Sequence, residues 1–209
     1  MMQTLIEHDG VVMLDPEFIP SAEARDLFVP LRQNLAWSQE HYTLFGKSVP
    51  SPRLVCWYGN ADAVYSYSGV KHVPRPWLPL LLDLKVRVEA ASGCVFNSVL
   101  GNLYRDGKDS MGWHADKEPE LGPQPCIASL SFGAPRLFML RHKASGDTQR
   151  VELGQGSLLV MAGSLQSHWQ HCVPKATAVV GPRVNLTFRR IVVGGEILAS
   201  AALLRQKLS

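Results

Sequence analysis

Trp113-His114-Ala115-Asp116 sets an imidazole and a carboxylate two residues apart, just after the loop Arg105 to Gly112. Such a pair is common in loops and becomes chemistry only when a third ligand joins it. His168-Trp169-Gln170-His171 offers two candidates. Two imidazoles and one carboxylate make a facial triad, which grips Fe(II) on one side and leaves the other positions open for reactants. Zinc accepts the same donors, so residue types alone leave the metal open. His168 and His171 stand three apart, which on a strand sends them to opposite faces; one of them could be a ligand, and periodicity does not say which.

A second constellation follows. In Arg183-Val184-Asn185-Leu186-Thr187-Phe188-Arg189 the residues Arg183, Asn185, Thr187 and Arg189 share one face of a strand, and Val184, Leu186 and Phe188 share the other. Arginines facing a barrel interior are costly unless paired, so they imply either internal carboxylates or a bound anion. Six residues of strand separate the two Cα atoms by roughly 20 Å. Side chains of roughly 6 Å leaning inward from each end would leave room for a five-carbon dicarboxylate, which arginine forks bind bidentately. Asn102 and Tyr104, at i and i+2, share a face of another strand and could complete the polar pocket.

The elements that must hold these residues can be read from periodicity. Beyond the apolar Val11 to Leu14, Pro20-Ser21 opens a helix with Ser21 as its expected N-cap and Ala24, Leu27, Phe28, Leu31 and Leu35 on one stripe; Pro30 should bend or interrupt it. A second helix follows Pro76 and Pro79, carries Leu78, Leu81, Leu82, Lys85 and Glu89, and ends at Ser92-Gly93. From Val95 the chain turns to short apolar runs punctuated by Gly, Pro, Asp and Ser. These are Val95 to Tyr104, Cys126 to Phe132, Arg136 to Arg141, Gln149 to Leu153, Ser157 to Met161, His168 to Val173 and Arg183 to Val193. The spacing predicts a sandwich, jelly roll or barrel.

Composition narrows the classes. A chain of 209 residues that is 46% hydrophobic and 19% charged should fold as one domain rather than remain disordered. A net charge of +3 decides nothing about a polyanionic partner. Its distribution says more: His41 to Arg75 holds Lys47, Arg53, Lys71 and Arg75 against Asp62, interleaved with Tyr42, Phe45, Trp57, Tyr58, Tyr65 and Tyr67. Cations for phosphates and aromatic faces for bases are what a nucleic-acid surface needs, although an aromatic hairpin layer covering a core would have the same composition. Cys56, Cys94, Cys126 and Cys172 lie far apart with no Cys-x-x-Cys, so spacing shows neither a zinc knuckle nor a redox pair, and a reducing, cytoplasmic home is expected. No secretion signal is visible, and the apolar stretch Leu78 to Leu84 is broken by Pro79 and Asp83, so no membrane partner is expected.

With these residues in place, the sequence resembles the AlkB family of Fe(II)- and 2-oxoglutarate-dependent nucleic-acid dealkylases, most of all its animal members that repair duplex DNA. The likeness runs over most of the chain. It is densest in Phe96-Asn97 through Asn102-Leu103-Tyr104-Arg105-Asp106-Gly107, then in Ile127 to Gly133, Arg141-His142-Lys143, Gly156-Ser157-Leu158-Leu159 and Pro182 to Arg189. The resemblance implies a mainly β fold with flanking helices. Its core would be a double-stranded β-helix, or jelly roll, buttressed by N-terminal helices and covered by a nucleotide-recognition lid. Residues 11–94 would supply helices and lid, 95–193 the catalytic core and 194–209 a tail.

The resemblance also implies roles. His114, Asp116 and His171 would hold Fe(II), and Asn102, Tyr104, Arg183, Asn185 and Arg189 would hold 2-oxoglutarate. Glu118 would read an exocyclic amino group of a flipped base, Tyr65 and Tyr67 would belong to the lid over it, and Phe45, in Leu44-Phe45-Gly46-Lys47, would be the finger that fills the gap in the duplex. Ser51-Pro52-Arg53 departs from the relatives' turn, which leaves Arg53 without an implied role. The implied activity is oxidative demethylation of 1-methyladenine and 3-methylcytosine in DNA by a monomer using dioxygen, with release of formaldehyde and succinate. Two other readings remain: a 2-oxoglutarate oxygenase acting on RNA or a protein side chain, and a jelly-roll binding module without catalysis.

Overall fold

The computed structural model describes residues 1–44, 46–67, 70–178 and 180–192. The chain opens with the hairpin β1 (Gln3–Ile6) and β2 (Val11–Asp15), then helix α1 (Ser21–Asn34). Two short ribbons flank a longer strand: β3 (His41–Leu44) with β4 (Lys47–Pro50), then β5 (Leu54–Gly59), then β6 (Tyr65–Tyr67) with β7 (Val70–His72). After α2 (Pro79–Ser92) come β8 (Ser98–Tyr104), β9 (Met111–His114), β10 (Ile127–Gly133), β11 (Arg136–His142), β12 (Thr148–Leu153), β13 (Leu158–Ala162), α3 (Leu165–His168), β14 (Trp169–Val173) and β15 (Arg183–Arg189).

Seven strands form one antiparallel sheet in the order β1-β2-β13-β10-β15-β8-β5, and four form a second in the order β12-β11-β14-β9. Side-chain alternation assigns each face its layer. On β15, Val184, Leu186 and Phe188 point away from the second sheet and pack with Ala128, Leu130 and Phe132 of β10 beneath Ala24 and Leu31 of α1 and Leu81, Leu84 and Val88 of α2. A second apolar cluster lies between the sheets, where Leu159 and Met161 of β13 meet Phe138 and Leu140 of β11 and Trp169 and Val173 of β14. Each cluster buries well over ten apolar side chains, at roughly 1.5–3 kcal/mol apiece before chain entropy is subtracted. The polar residues of β15 are thereby left facing the gap between the sheets. This is the mainly β, helix-buttressed sandwich that the pattern predicts.

Several details differ from expectation. Pro20, not Ser21, occupies the N-cap of α1, and Pro30 sits inside a continuous helix. The carbonyl that loses its partner is that of Asp26, on the exposed side, so water can take the place of the missing N–H. Helix α2 starts at Pro79 and ends on Gly93 with φ 69°, a left-handed cap that favours glycine. The strand expected from Val95 begins at Ser98, and the run to Val193 stops at Arg189. Met111 and Gly112, read as the end of a loop, belong with Trp113 and His114 to strand β9, because this stretch can pair with β14. His168 is not on a strand at all; it ends α3, so the opposite-face argument does not apply to it. Cys94 and Cys126 form a disulfide, which spacing could not reveal since the end of α2 and the approach to β10 meet only in the fold.

Candidate metal and dicarboxylate site

Pairing of β9 with β14 places His114 directly opposite His171. Cross-strand neighbours on one face are in contact, and the two imidazoles lie 4.2 Å apart at their centroids. Asp116, just past the end of β9, brings one carboxylate oxygen to 3.7 Å from His114 Nε2 and the other to 4.0 Å from His171 Nε2. One ligand atom from each of the three residues lies within 4.8 Å of the others. The Nδ1 atom of His114 lies 2.9 Å from the Gly112 carbonyl oxygen and donates to it, leaving Nε2 free to bind a metal. The backbone N–H of Asp116 donates to Gln166 Oε1 at 3.0 Å, and His171 stacks on Phe138.

The electrostatics suit a cation. Burial alone would raise the Asp116 carboxyl, but Arg189, His171 and His114 outweigh it and hold it below the usual carboxylate range. Burial, with His114 adding to it, pushes His171 down to about 3, so its imidazole is neutral at physiological pH and one ring nitrogen offers a lone pair to a metal.

Arg189 donates from Nη2 to Asp116 Oδ1 at 3.1 Å, one of the internal carboxylate pairs weighed for the two arginines. Arg183 is different. It is 1% exposed, donates from Nη2 to Ser131 Oγ at 2.9 Å, and its Nε and Nη1 have no hydrogen-bond partner among the described residues. Burial pulls its guanidinium below the usual arginine range, while Tyr104, whose ring lies 5.2 Å from it, works the other way. A buried guanidinium with two idle donors is expensive unless an anion meets it. That is the fit expected for the far carboxylate of 2-oxoglutarate.

The strand ladders fix the rest of this pocket: Asn185 is opposite Asn102 on one side and Ser131 on the other, and Arg183 is opposite Tyr104. Asn185 donates to Ser129 Oγ at 2.7 Å, and Thr187 Oγ1 donates to Asn185 Oδ1 at 3.1 Å. A cavity of about 60 Å³ runs between Arg183 and the triad, lined also by Asn102, Tyr104 and Asn185. All the residues expected at the metal and dicarboxylate positions therefore come together.

A second, larger cavity of about 320 Å³ opens from the same corner, and His114, Asp116 and Arg189 line both. Its walls include Trp57, Arg75 and Glu118. Glu118 lies at the start of a 3-10 turn, and its Oε2 is buried without a hydrogen-bond partner among the described residues. Tyr65 and Tyr67 form β6, paired with β7 through Tyr65–His72 and Tyr67–Val70. Phe45 lies outside the described residues.

The sequence reading missed several contributors. Arg53 sits where the two cavities join, donating from Nε to Asn102 Oδ1 at 2.7 Å and from Nη1 to Ser51 Oγ at 3.3 Å. Ser129 and Ser131 could have been found, since they alternate with Leu130 and Phe132 as the β15 polar residues do. Gln166 carried no local signal.

The profile of the 2OG-Fe(II) oxygenase superfamily matches residues 10–189. The chain is 45% identical over 190 residues to the mouse alpha-ketoglutarate-dependent dioxygenase alkB homolog 3, covering 86% of this chain and 66% of that protein, just short of two thirds of its length. It is 41% identical to the mouse DNA oxidative demethylase ALKBH2, covering 82% of this chain and 76% of the relative. The solved structure of OsALKBH1 superposes with a TM-score of 0.65 at 19% identity, covering 91% of this chain and all of that one, a likeness of fold. On the match across residues 10–189 and the 41% identity with ALKBH2, the chain belongs to the 2OG-Fe(II) oxygenase superfamily and, within it, to the AlkB homologues.

Proposed function

We propose that the chain is an Fe(II)- and 2-oxoglutarate-dependent dioxygenase that removes methyl groups from N-alkylated bases in DNA. The observation that carries this reading is the shared corner, at which a narrow pocket ending on a buried arginine with two idle donors among the described residues meets a broad cleft at His114 and Asp116. His114, Asp116 and His171 would hold the iron, and Arg183 with Asn102, Tyr104, Asn185 and Arg189 would hold the co-substrate. Bound together, the two cofactors supply the activation of dioxygen and the oxidation of an N-methyl group, with succinate, carbon dioxide and formaldehyde as products.

The chain's own residues position and polarise. Neutral His171 and ionised Asp116 present lone pairs without first shedding protons. Arg189 fixes the Asp116 carboxylate from behind through one oxygen. The idle Glu118 Oε2 in the cleft accepts a hydrogen bond and favours a positively charged ring, which 1-methyladenine and 3-methylcytosine both offer. The names of the ALKBH2 relatives, DNA oxidative demethylases, support DNA as the polymer.

The test supplies purified protein, Fe(II) and 2-oxoglutarate with duplex DNA, single-stranded DNA and transfer RNA carrying 1-methyladenine or 3-methylcytosine. Formaldehyde and unmodified base should appear with the DNA substrates. Turnover of 2-oxoglutarate with every methylated DNA left intact would overturn the substrate, and repair confined to transfer RNA would move the reading to RNA.

A further inference from the structure

Of the two histidines that could have been the third ligand, His168 is the one the triad does not use, and it has neighbours of its own. Asp9, His142 and His168 each place one ligand atom within 4.8 Å of the other two, on the outside of the molecule and apart from the triad. They arrive from three separate parts of the chain. Asp9 is in the turn of the β1–β2 hairpin, His142 is the last residue of β11, and His168 is the last residue of α3. Backbone bonds hold two of these ends together, since His142 pairs with Trp169 and the Lys143 N–H donates to the His168 carbonyl at 2.8 Å. The hairpin turn is locked against α3, because a Cβ on Gly10 would lie 2.4 Å from the Leu165 Cα.

We propose that Asp9, His142 and His168 form a second metal site, for Zn(II) or another divalent transition ion that takes mixed imidazole and carboxylate donors. Asp9 Oδ2 lies 3.2 Å from His142 Nε2, close to the separation of two donors on one tetrahedral ion, about 3.3 Å. The imidazoles of His142 and His168 lie nearly parallel at 9°, with centroids 6.2 Å apart. Asp9 and His168 are exposed, so small side-chain rotations can close the remaining distance. His142 is held from behind: its Nδ1 lies 3.0 Å from Ser145 Oγ, which donates at 2.6 Å to Asp147 Oδ2. With a metal on Nε2 the proton sits on Nδ1, and that N–H can donate to Ser145 Oγ, the support that ligating histidines ordinarily have. Against this, the Ser145 N–H also points at Nδ1, 3.1 Å away, and favours the metal-free tautomer in which Nε2–H donates to Asp9. The neighbouring Lys143 ammonium is engaged by the carbonyls of Gln166 and Ser167. Asp9 adopts φ 53°, a left-handed conformation that few residues other than glycine, asparagine and aspartate accept. It puts the carboxylate over His142.

An ion there would clasp the hairpin to the end of α3, three residues before His171. The inference does not rest on the activity proposed above. Purified full-length chain is stripped of metal, dialysed against Zn(II), and its bound zinc counted by mass spectrometry. Wild type should hold two zinc ions per chain, and Asp9→Asn with His168→Ala one. His114→Ala with Asp116→Ala should also hold one, and the fourfold variant none. Asparagine keeps the left-handed turn and both replaced side chains are exposed, so the first variant keeps its fold. In the His114→Ala, Asp116→Ala background, zinc at a hundredfold excess over its Kd should raise the unfolding midpoint by about 5 °C. Equal zinc in wild type and the Asp9→Asn, His168→Ala variant, or no shift in that background, overturns the proposal.

Discussion

The two cavities that meet at His114 and Asp116 are built by different means. The narrow one is walled by strands, and the ladders β8–β15 and β15–β10 set which residues face each other, Asn102 across from Asn185 and Tyr104 across from Arg183. A register slip of one residue would send every polar side chain of β15 into the apolar layer under α1 and α2. The broad cavity also touches the sheets, through Val55 to Trp57 of β5, Leu100 of β8, Met111 and His114 of β9 and Arg189 of β15, but it takes much of its wall from Ala36 to Glu40, Val73 to Arg75 and Ala115 to Glu118, outside the strands of the two main sheets. Among the described residues, the ribbons β3–β4 and β6–β7 pair only within themselves. Register thus fixes the residues proposed to hold the cofactors, while much of the wall proposed to meet the substrate comes from segments that can change without disturbing it.

The largest effects should come from the narrow side. Asp116→Ala removes a proposed metal donor and strands the buried Arg189, so demethylation should fall by about a thousandfold or more, equal to roughly 4 kcal/mol of barrier. Single-turnover assays with saturating Fe(II) check this; residual activity above a tenth of wild type would remove Asp116 from the machinery. Arg183→Lys keeps a charge but loses the fork. It should raise the KM for 2-oxoglutarate by about 10- to 100-fold with kcat largely kept. An unchanged KM would mean that the idle Nε and Nη1 are not the co-substrate's anchor.

The same contrast explains how much could be read in advance. Arg183 to Arg189 was legible because a strand of period two between a dry layer and a wet pocket must alternate, and the sequence alternates. Asn102 and Tyr104 followed from the same rule. His114 and Asp116 could be picked out, but the strand that carries His114 could not: β9 exists because β14 offers it a partner, with His171 opposite His114 and 57 residues on, a long-range fact. His168 was misplaced for the converse reason, since one turn of helix is too short to leave a period. Arg53 had no readable role because its meaning lies in a hydrogen bond to Asn102, 49 residues on.

The broad side should respond more gently. Glu118→Gln keeps the shape and removes the charge that, on the proposed function, would face a cationic ring. It should lower kcat/KM on methylated DNA by about tenfold while leaving the 2-oxoglutarate KM alone, given the worth of one hydrogen bond to a charged group. Equal losses on both substrates would show that the two cavities are not separable.

The smallest effect tests how the narrow side is fastened. Asp109, in the loop leading into β9, accepts from the Arg105 N–H and Nε on one oxygen and from Nη2 on the other, all at 2.8 Å. Its backbone carbonyl accepts from buried Arg136. Burial would raise its carboxyl, but these Arg105 bonds outweigh it and hold it below its ordinary 3.8. A carboxyl depressed in the folded state lends stability that is fully present above that value and is lost as pH falls through the folded one. Arg105 is half exposed, so the gain is under about 1 kcal/mol. Denaturant midpoints taken from pH 6 down to pH 3 should therefore fall more steeply in wild type than in Asp109→Asn, with the difference confined to the region below about pH 4. Parallel curves would show that the loop under His114 is held by Arg136 and the backbone rather than by this ion pair.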